Sequence, residues 1–450
     1  DETFLHYTLN QAASTSVIVY SLHPCYKDRI LWKGPQPSGE QFAAWDGCLE
    51  RVPGIPCPTG VEGTPCGYGN YEVPGDDVYP YTVQAGAEVV TGVVTIDTTL
   101  PPGSPLYAAG VPGDPQAPDR LLRSDDEGLT WTEISSQTLG TVTRLIGRRG
   151  MPYLYAIGGG NGWRSGDGGV SWTPILTGGM WTDIALHPTD PQVLFAASQG
   201  GAWDPGLYRS LDHGQSRELV WYAEGSWGHP YRATCAAASA ADPNRVLVGG
   251  DNNYAADGRP VIARSATGGG AGSFEIVWSD PGITGNYCSV KALLPDRATA
   301  IVVYAATTAW SQYPAYQGVL RSEDGGASWT YILTGTNATL LAQDAADSQV
   351  VYKAYAPSGG CPGPDVWRTE DGGDTWTPIT AGLPAGFVVQ ALVAGPTEAD
   401  VVFVGGRACY GGEPYRLYYS GDRGDTWEDR SGGLPEYGGE TIAITALLRP

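Results

Sequence analysis

The chain has 450 residues, 42% hydrophobic and 10% aromatic, with 64 Gly and 35 Pro, so a sizeable core is affordable and a disordered chain is excluded. Its formal net charge of −22 excludes nucleic acid and anionic membrane surfaces as partners, because both attract basic faces. No apolar run reaches the 18 or so residues that a spanning helix needs, and Val, Thr, Tyr and Trp between dense turns predict an all-β chain.

In chain order, "STSVIVYSL", "DRILWKG" and "QFAAWDG" within residues 1–48 read as strands, with "ETFLHYTLN" as a further candidate ahead of them. Residues 49–86 are rich in Pro and Gly, carry Cys57 and Cys66, and read as a stapled insertion. Asp1 reads like a mature N-terminus left by processing.

From residue 87 to 440 the chain repeats itself. "RSDDEGLTW" at 123 returns as "RSGDGGVSW" at 164, "RSLDHGQSR" at 209, "RSEDGGASW" at 321, "RTEDGGDTW" at 368 and "YSGDRGDTW" at 419. A further copy, "RSATGGGAGSFEIVW" at 264, lacks the aspartate. The aspartates are Asp126, Asp167, Asp212, Asp324, Asp371 and Asp422; the tryptophans are Trp131, Trp172, Trp329, Trp376 and Trp427, with Arg217 in the remaining copy. An Asp carboxylate that accepts nearby N–H groups, followed by a Gly at positive φ, predicts a hairpin turn. The Trp then opens the next strand facing inward. All these groups serve local structure, so the motif is expected to be architectural.

Segments such as "WTDIALHPTDPQVLFAAS" and "FVVQALVAGPTEADVVFVGG" precede the copies at 209 and 419. The unit reads strand, turn, strand, variable loop, strand, acidic turn and short strand. Four strands in about 40 to 55 residues predict a propeller blade. Seven units start near Ala87, Gly140, Met180, Tyr231, Tyr287, Ala338 and Gly386. Residues 441–450 resemble one more opening strand, so the N-terminal strands of 1–48 are expected to complete an eighth, composite blade with it. Seven blades are the alternative. Should "ETFLHYTLN" open that blade itself, the C-terminal strand is left to pair with a neighbouring subunit.

The turn motif resembles the Asp box, or BNR repeat, of sialidases, xyloglucanases, sortilin-like receptors and a photosystem assembly factor. The resemblance covers residues from about 87 to 450 and implies a β-propeller; such propellers serve unrelated functions. The chain departs from each of these groups. "RILW" at 29 lacks the sialidase proline, and no arginine triad can be placed. "SQGGAWDPGLYRS" lacks the xyloglucanase aspartate, the basic patch of the photosystem factor is missing, and no cysteine-rich module follows as in the sortilin-like receptors.

Eight cysteines without a CxxC pair predict disulfides and an oxidising compartment. In the repeat frame Cys235 and Cys288 fall in first strands of adjacent blades, and Cys361 and Cys409 in equivalent loops. These two pairs are expected, with Cys25–Cys48 and Cys57–Cys66 as the remainder. The loops between second and third strands share a face with the links between blades. They place Trp181, Trp203, Trp227, Tyr254, Trp310, Tyr313 and Tyr316 as a ligand-binding face for a carbohydrate or a protein partner. Asp183 and Asp251 are the candidate catalytic carboxylates there, since a glycosidase needs two across a cleft. No cofactor is expected; scattered oxygen ligands leave room for calcium without forming an EF-hand loop. Asn337 opens one N-glycosylation sequon. The reading is a secreted or cell-surface propeller without catalysis, acting as a binding, structural or self-assembling module. The alternative is an extracellular glycoside hydrolase of sialidase or xyloglucanase type.

Overall fold

The computed structural model describes the chain as two units: residues 1–102 with 149–152, and residues 103–148 with 153–450. Before residue 105 it describes the backbone of eight strands; from 105 onward it describes all residues except 112–119, 136, 149–150, 152, 225–229, 253–258, 280–287, 310–312, 358–359, 396–398, 409–415 and 438–439. In the first unit, Arg29–Gln36, Ala13–Val19, Val78–Ala85 and Glu88–Thr95 form one four-stranded sheet in that order, and Thr3–Leu9 pairs with Gly39–Trp45.

The second unit holds seven four-stranded antiparallel sheets. Six follow the chain in simple up-and-down order; their inner strands are Val142–Ile146, Gly179–Leu186, Arg232–Ala238, Cys288–Pro295, Leu340–Gln343 and Phe387–Ala394. The seventh joins Leu106–Val111, Arg120–Ser124 and Thr132–Ser135 to the C-terminal strand Ala443–Leu448, which takes the inner place. Each inner strand touches the next, and Ala443–Leu448 touches both Phe387–Ala394 and Val142–Ile146, so the ring closes. We number the blades 1 to 7 from the one containing Leu106.

Seven blades, not eight, is therefore the architecture, and the strands of residues 1–48 pair within their own unit rather than with the chain's end. The first blade was expected to begin at Ala87, but Glu88–Thr95 pairs with Val78–Ala85. Pro101, Pro102 and Pro105 separate it from Leu106, and proline cannot donate to a ladder. Leu106–Val111 consequently lacks an inner neighbour, and the C-terminal strand supplies it.

The second strands are buried on both faces between neighbouring blades, which is why they read as continuous apolar runs rather than alternating ones. Leu194, Phe195, Ala196 and Ala197 are at most 1% exposed, as are Val402, Phe403 and Val404. The core is correspondingly layered: one cluster joins Ala185, Phe195 and Leu207 of blade 3 to Ala233, Val246 and Val261 of blade 4. Another joins Tyr352 and Val366 of blade 6 to Phe387 and Val404 of blade 7.

The six acidic turns share one geometry. The Ser or Thr two residues before each Asp donates its hydroxyl to Asp Oδ1 at 2.7–2.8 Å. The Gly N–H two residues after the Asp donates to that same hydroxyl oxygen at 2.7–2.8 Å. The Ser or Thr four residues after gives its N–H to Oδ1 at 2.8–2.9 Å and its hydroxyl to Oδ2 at 2.6 Å. The carboxylate thus reaches the residue four positions on. Two successive residues take positive φ, so Glu127, His213 and Arg423 occupy a conformation that favours glycine, at φ of 58–62°. The tryptophans are half-buried except Trp172, which is buried. In three turns the indole N–H closes back onto the turn's glycine carbonyl at 2.8–3.1 Å.

Candidate functional site

The inner strands decide what faces the axis. Six of them shift register by one residue, between Val142 and Arg144, Trp181 and Asp183, Ala233 and Cys235, Val290 and Ala292, Val389 and Ala391, and Ile444 and Ala446. A bulge leaves its extra residue out of the ladder and re-aims its side chain. The residues so placed are Thr143, Thr182, Thr234, Lys291, Gln390 and Thr445, with Thr339 at the equivalent point just ahead of Leu340–Gln343. The residue before each is sealed in the core: Val142, Trp181, Ala233, Val290, Ala338, Val389 and Ile444 are at most 2% exposed. Several threonines tie the ring together. Thr182 Oγ1 donates to Ala233 O of the next blade at 3.3 Å, Thr445 Oγ1 to Ala109 O at 3.3 Å, and Thr234 Oγ1 to Val290 O.

All seven residues line one cavity of about 500 Å³. It includes Gly160, Gln199, Ala356 and Pro357, which lie at or just beyond the C-terminal ends of second strands, so it opens on the variable-loop face. The acidic turns sit at the opposite end. A second cavity of about 200 Å³ shares Thr143, Arg144, Lys291, Thr339, Gln390 and Thr445 with the first and is floored by Leu145, Leu293, Leu341, Leu392 and Leu447.

Charge in this channel is sparse. Arg144 Nε lies 3.8 Å from Asp183 Oδ1. Asp183 accepts from Ile184 N–H at 3.0 Å and from Ala236 N–H of the next blade at 3.1 Å. Burial pushes its carboxyl above the usual range, against the pull of Arg144 and the two amides. Lys291 meets no ion-pair or hydrogen-bond partner among the described residues. Gln390 Oε1 is buried without a donor. Behind the channel wall, burial and the neighbouring Asp183 push the Cys235 thiol up to about 12, so it is no nucleophile.

Asp251, the other candidate carboxylate, does not line the channel. It is 6% exposed, takes Arg232 Nη2 at 2.6 Å on Oδ1 and the Ser289 hydroxyl at 2.6 Å on Oδ2, and so pins blade 4 to blade 5. Asp183 is the one carboxylate among the described lining residues.

The expected aromatic face separates into two places. Trp181 is 2% exposed, edge-on to Tyr208 at 5.2 Å, and its indole N–H is buried without an acceptor beside the channel mouth. Trp203 is 42% exposed; its N–H donates to Thr177 O at 2.8 Å, and the Arg217 guanidinium stacks over its ring at 4.3 Å. Arg217, which stands where five other copies carry Trp, thus buttresses an exposed ring. Tyr313 and Tyr316 are half-buried against Cys288 and Ala309. Trp227, Tyr254 and Trp310 lie outside the described residues. Asn337 is half-buried, and its Oδ1 accepts from Ala309 N–H at 2.9 Å.

Cys235 and Cys288 both remain thiols, contrary to the expected pair. Cys235 lies opposite Gly249 with Sγ 3.9 Å from Val290 O, whereas Cys288 lies two residues earlier on its strand with Sγ 3.6 Å from Tyr316 O. Two residues along a strand amount to about 7 Å, too far for the bond. Cys361 is disulfide-bonded; the side chains of Cys25, Cys48, Cys57, Cys66 and Cys409 lie outside the described residues. No group of three His, Cys, Asp or Glu able to hold a metal occurs among the described residues. No described helix is long and apolar enough to cross a membrane.

No protein-family model matches the chain, and no curated protein matches it. Solved structures do. The chain is similar to a GH74 enzyme of Niastella koreensis at 16% identity and a TM-score of 0.39, over 72% of this chain and 63% of that one. It thus spans less than two thirds of that enzyme's length. It is similar to a putative 6-phosphogluconolactonase of Bacteroides fragilis at 10% identity and a TM-score of 0.49, over 78% and 99%. A chain of a nidogen/laminin complex matches at 11% and 0.41, over 61% and 91%. At these identities the likenesses concern the fold and say nothing of activity.

Proposed function

We propose that the chain is a non-catalytic propeller that binds a carbohydrate or protein partner through its variable-loop face, in an oxidising compartment outside the cell or on its surface. The observation that carries this reading is Trp203. A half-exposed indole held from one side by Arg217 and at its nitrogen by Thr177 O is a rigid platform, and rigid aromatics supply contact area at little entropic cost. The carboxylates support the same reading. Those of the turns have their oxygens occupied by turn donors, Asp251 is ion-paired, and Asp183 has no second carboxylate beside it among the described channel residues. The bonded Cys361 supports the compartment.

Affinity electrophoresis in a panel of polysaccharides, run beside assays on aryl glycosides, tests the proposal. We expect retardation by at least one polymer, weakened about tenfold or more in Trp203→Ala, and no turnover. Turnover that disappears in Asp183→Asn would overturn it in favour of a hydrolase.

A further inference from the structure

We infer that the axial channel is a second binding site, for a small, singly charged carboxylate bearing hydroxyl groups. Lys291 and Arg144 would take the carboxylate and Gln390 a hydroxyl. The inference does not depend on the Trp203 platform.

Three observations converge. In a chain of net charge −22, the charged residues among the described lining of the channel are Arg144, Lys291 and Asp183, two cations against one anion. The Arg144 side chain is 31% exposed and Lys291 half-buried, so both cations stand where an anion entering the channel can reach them. Second, Lys291 and Gln390 offer complementary polar groups. The half-buried ammonium carries donors with no protein acceptor among the described residues, and the buried Gln390 Oε1 accepts and has no donor. A hydroxy-carboxylate carries the complement of both on one molecule. Third, Lys291, Arg144 and Gln390 border both cavities, one about 500 Å³ and the other about 200 Å³ with a leucine floor. The larger volume lies in the ordinary range of small-molecule sites, and the leucines of the smaller suit the C–H face of a short polyol chain.

Asp183 sets the charge of the guest. Its Oδ1 stands 3.8 Å from Arg144 Nε and so uses part of that cation. The balance left for a ligand is one positive charge. A dianion such as phosphate would meet Asp183 at close range, where like charges repel. The Arg144–Asp183 pair therefore selects a monoanion by repulsion as well as attraction.

Calorimetric titration of the full chain tests this, with galacturonate as the probe, galactose as its neutral counterpart and inorganic phosphate as the dianion. Galacturonate is expected to bind, with galactose and phosphate at least tenfold weaker. Lys291→Met should weaken galacturonate tenfold or more, Lys291→Arg should restore most of it, and Gln390→Leu should weaken it several-fold. Lys291 makes no described contact that folding needs, so its variants should keep the parent's unfolding midpoint. Trp203→Ala should leave galacturonate binding unchanged, which separates this site from the loop-face platform. Absence of galacturonate binding, equal binding of galactose, or full binding by Lys291→Met would each overturn the inference.

Discussion

Deleting Ile442–Pro450 is expected to leave no cooperatively folded propeller. The lost segment is the inner strand of blade 1, in register with Leu106–Val111, and Ile442 and Ile444 are fully buried in a cluster with Leu106, Ala108, Phe403 and Leu417. Leu448 and Ala446 extend the contact into blade 2, against Leu145 and Ala156. The deletion exposes that surface, leaves Leu106–Val111 as an open edge, and breaks the ring between blades 7 and 2. Ile444→Ala alone should cost about 2–5 kcal/mol. Removal of four large apolar side chains together with the pairing of a whole strand exceeds the roughly 5–15 kcal/mol by which domains are stable. Guanidinium unfolding followed by tryptophan fluorescence reads the outcome. A truncated chain with the parent's midpoint would show that the ring does not need this strand.

Asp365→Ala is expected to destabilise blade 6 by about 3–5 kcal/mol, the range for stranding one partner of a buried ion pair. Lys353 is 0% exposed in the middle of Val351–Ala354. Its ammonium donates to Asp365 Oδ1 at 2.6 Å, Thr336 Oγ1 at 2.8 Å and Asn337 O at 3.3 Å. Burial lowers the ammonium to about 8 even with Asp365 beside it. The double variant Lys353→Met/Asp365→Ala removes the charge as well and should recover most of the loss, because the methionine stem can still pack on Trp367. The pH dependence follows in sign. Because the folded pKa lies below that of an unfolded lysine, the unfolded chain holds more protons between about pH 8 and 10.5, and stability from this group rises with pH across that window. The unfolded lysine titrates alike in both chains, so the loss in Asp365→Ala should shrink as the pH rises towards about 8, where the folded Lys353 of the parent gives up its proton, and stay level above it. A double variant as unstable as the single one would refute the assignment.

What was legible in the sequence was local chemistry. The Ser-x-Asp-x-Gly-x-Ser/Thr turns are written in residues whose bonds stay within seven positions, and "VLFAAS" or "VVFVGG" can only be strands covered on both faces. The blade count was less legible because it rests on which strand fills one vacant place. Glu88–Thr95 and Ala443–Leu448 read equally well as inner strands, and only pairing, with the prolines before Leu106, separates them. The channel was not legible from any single blade. Thr143, Lys291 and Gln390 are scattered polar residues in largely apolar strands; their common role shows only when seven inner strands are superimposed and the bulges aligned. The aromatic loops misled in the other direction. Trp181 and Trp203 lie close in sequence, yet one packs inside and the other stands in solvent. Arg217 stands in the Trp position of one repeat, and the structure stacks it on Trp203.

The claim on which the rest stands is that the recurrent carboxylates hold turns rather than ligands, and Asp324 tests it most directly. Burial alone would raise this carboxyl, but the hydroxyl and N–H of Ser328, the Ser322 hydroxyl and Ala327 N–H bring it down to about 2. A depressed folded pKa adds stability above the unfolded value of 3.8 that is lost as the pH falls towards 2. Solvent screening of so exposed a group reduces the contribution to about 1 kcal/mol. The measurement is the unfolding free energy of the parent and of Asp324→Asn from pH 7 to pH 2. We expect the variant to be less stable by about 1 kcal/mol at pH 7 and the two curves to converge between pH 4 and 2. Parallel curves across that interval, or a variant that keeps full stability while losing partner binding, would contradict the account.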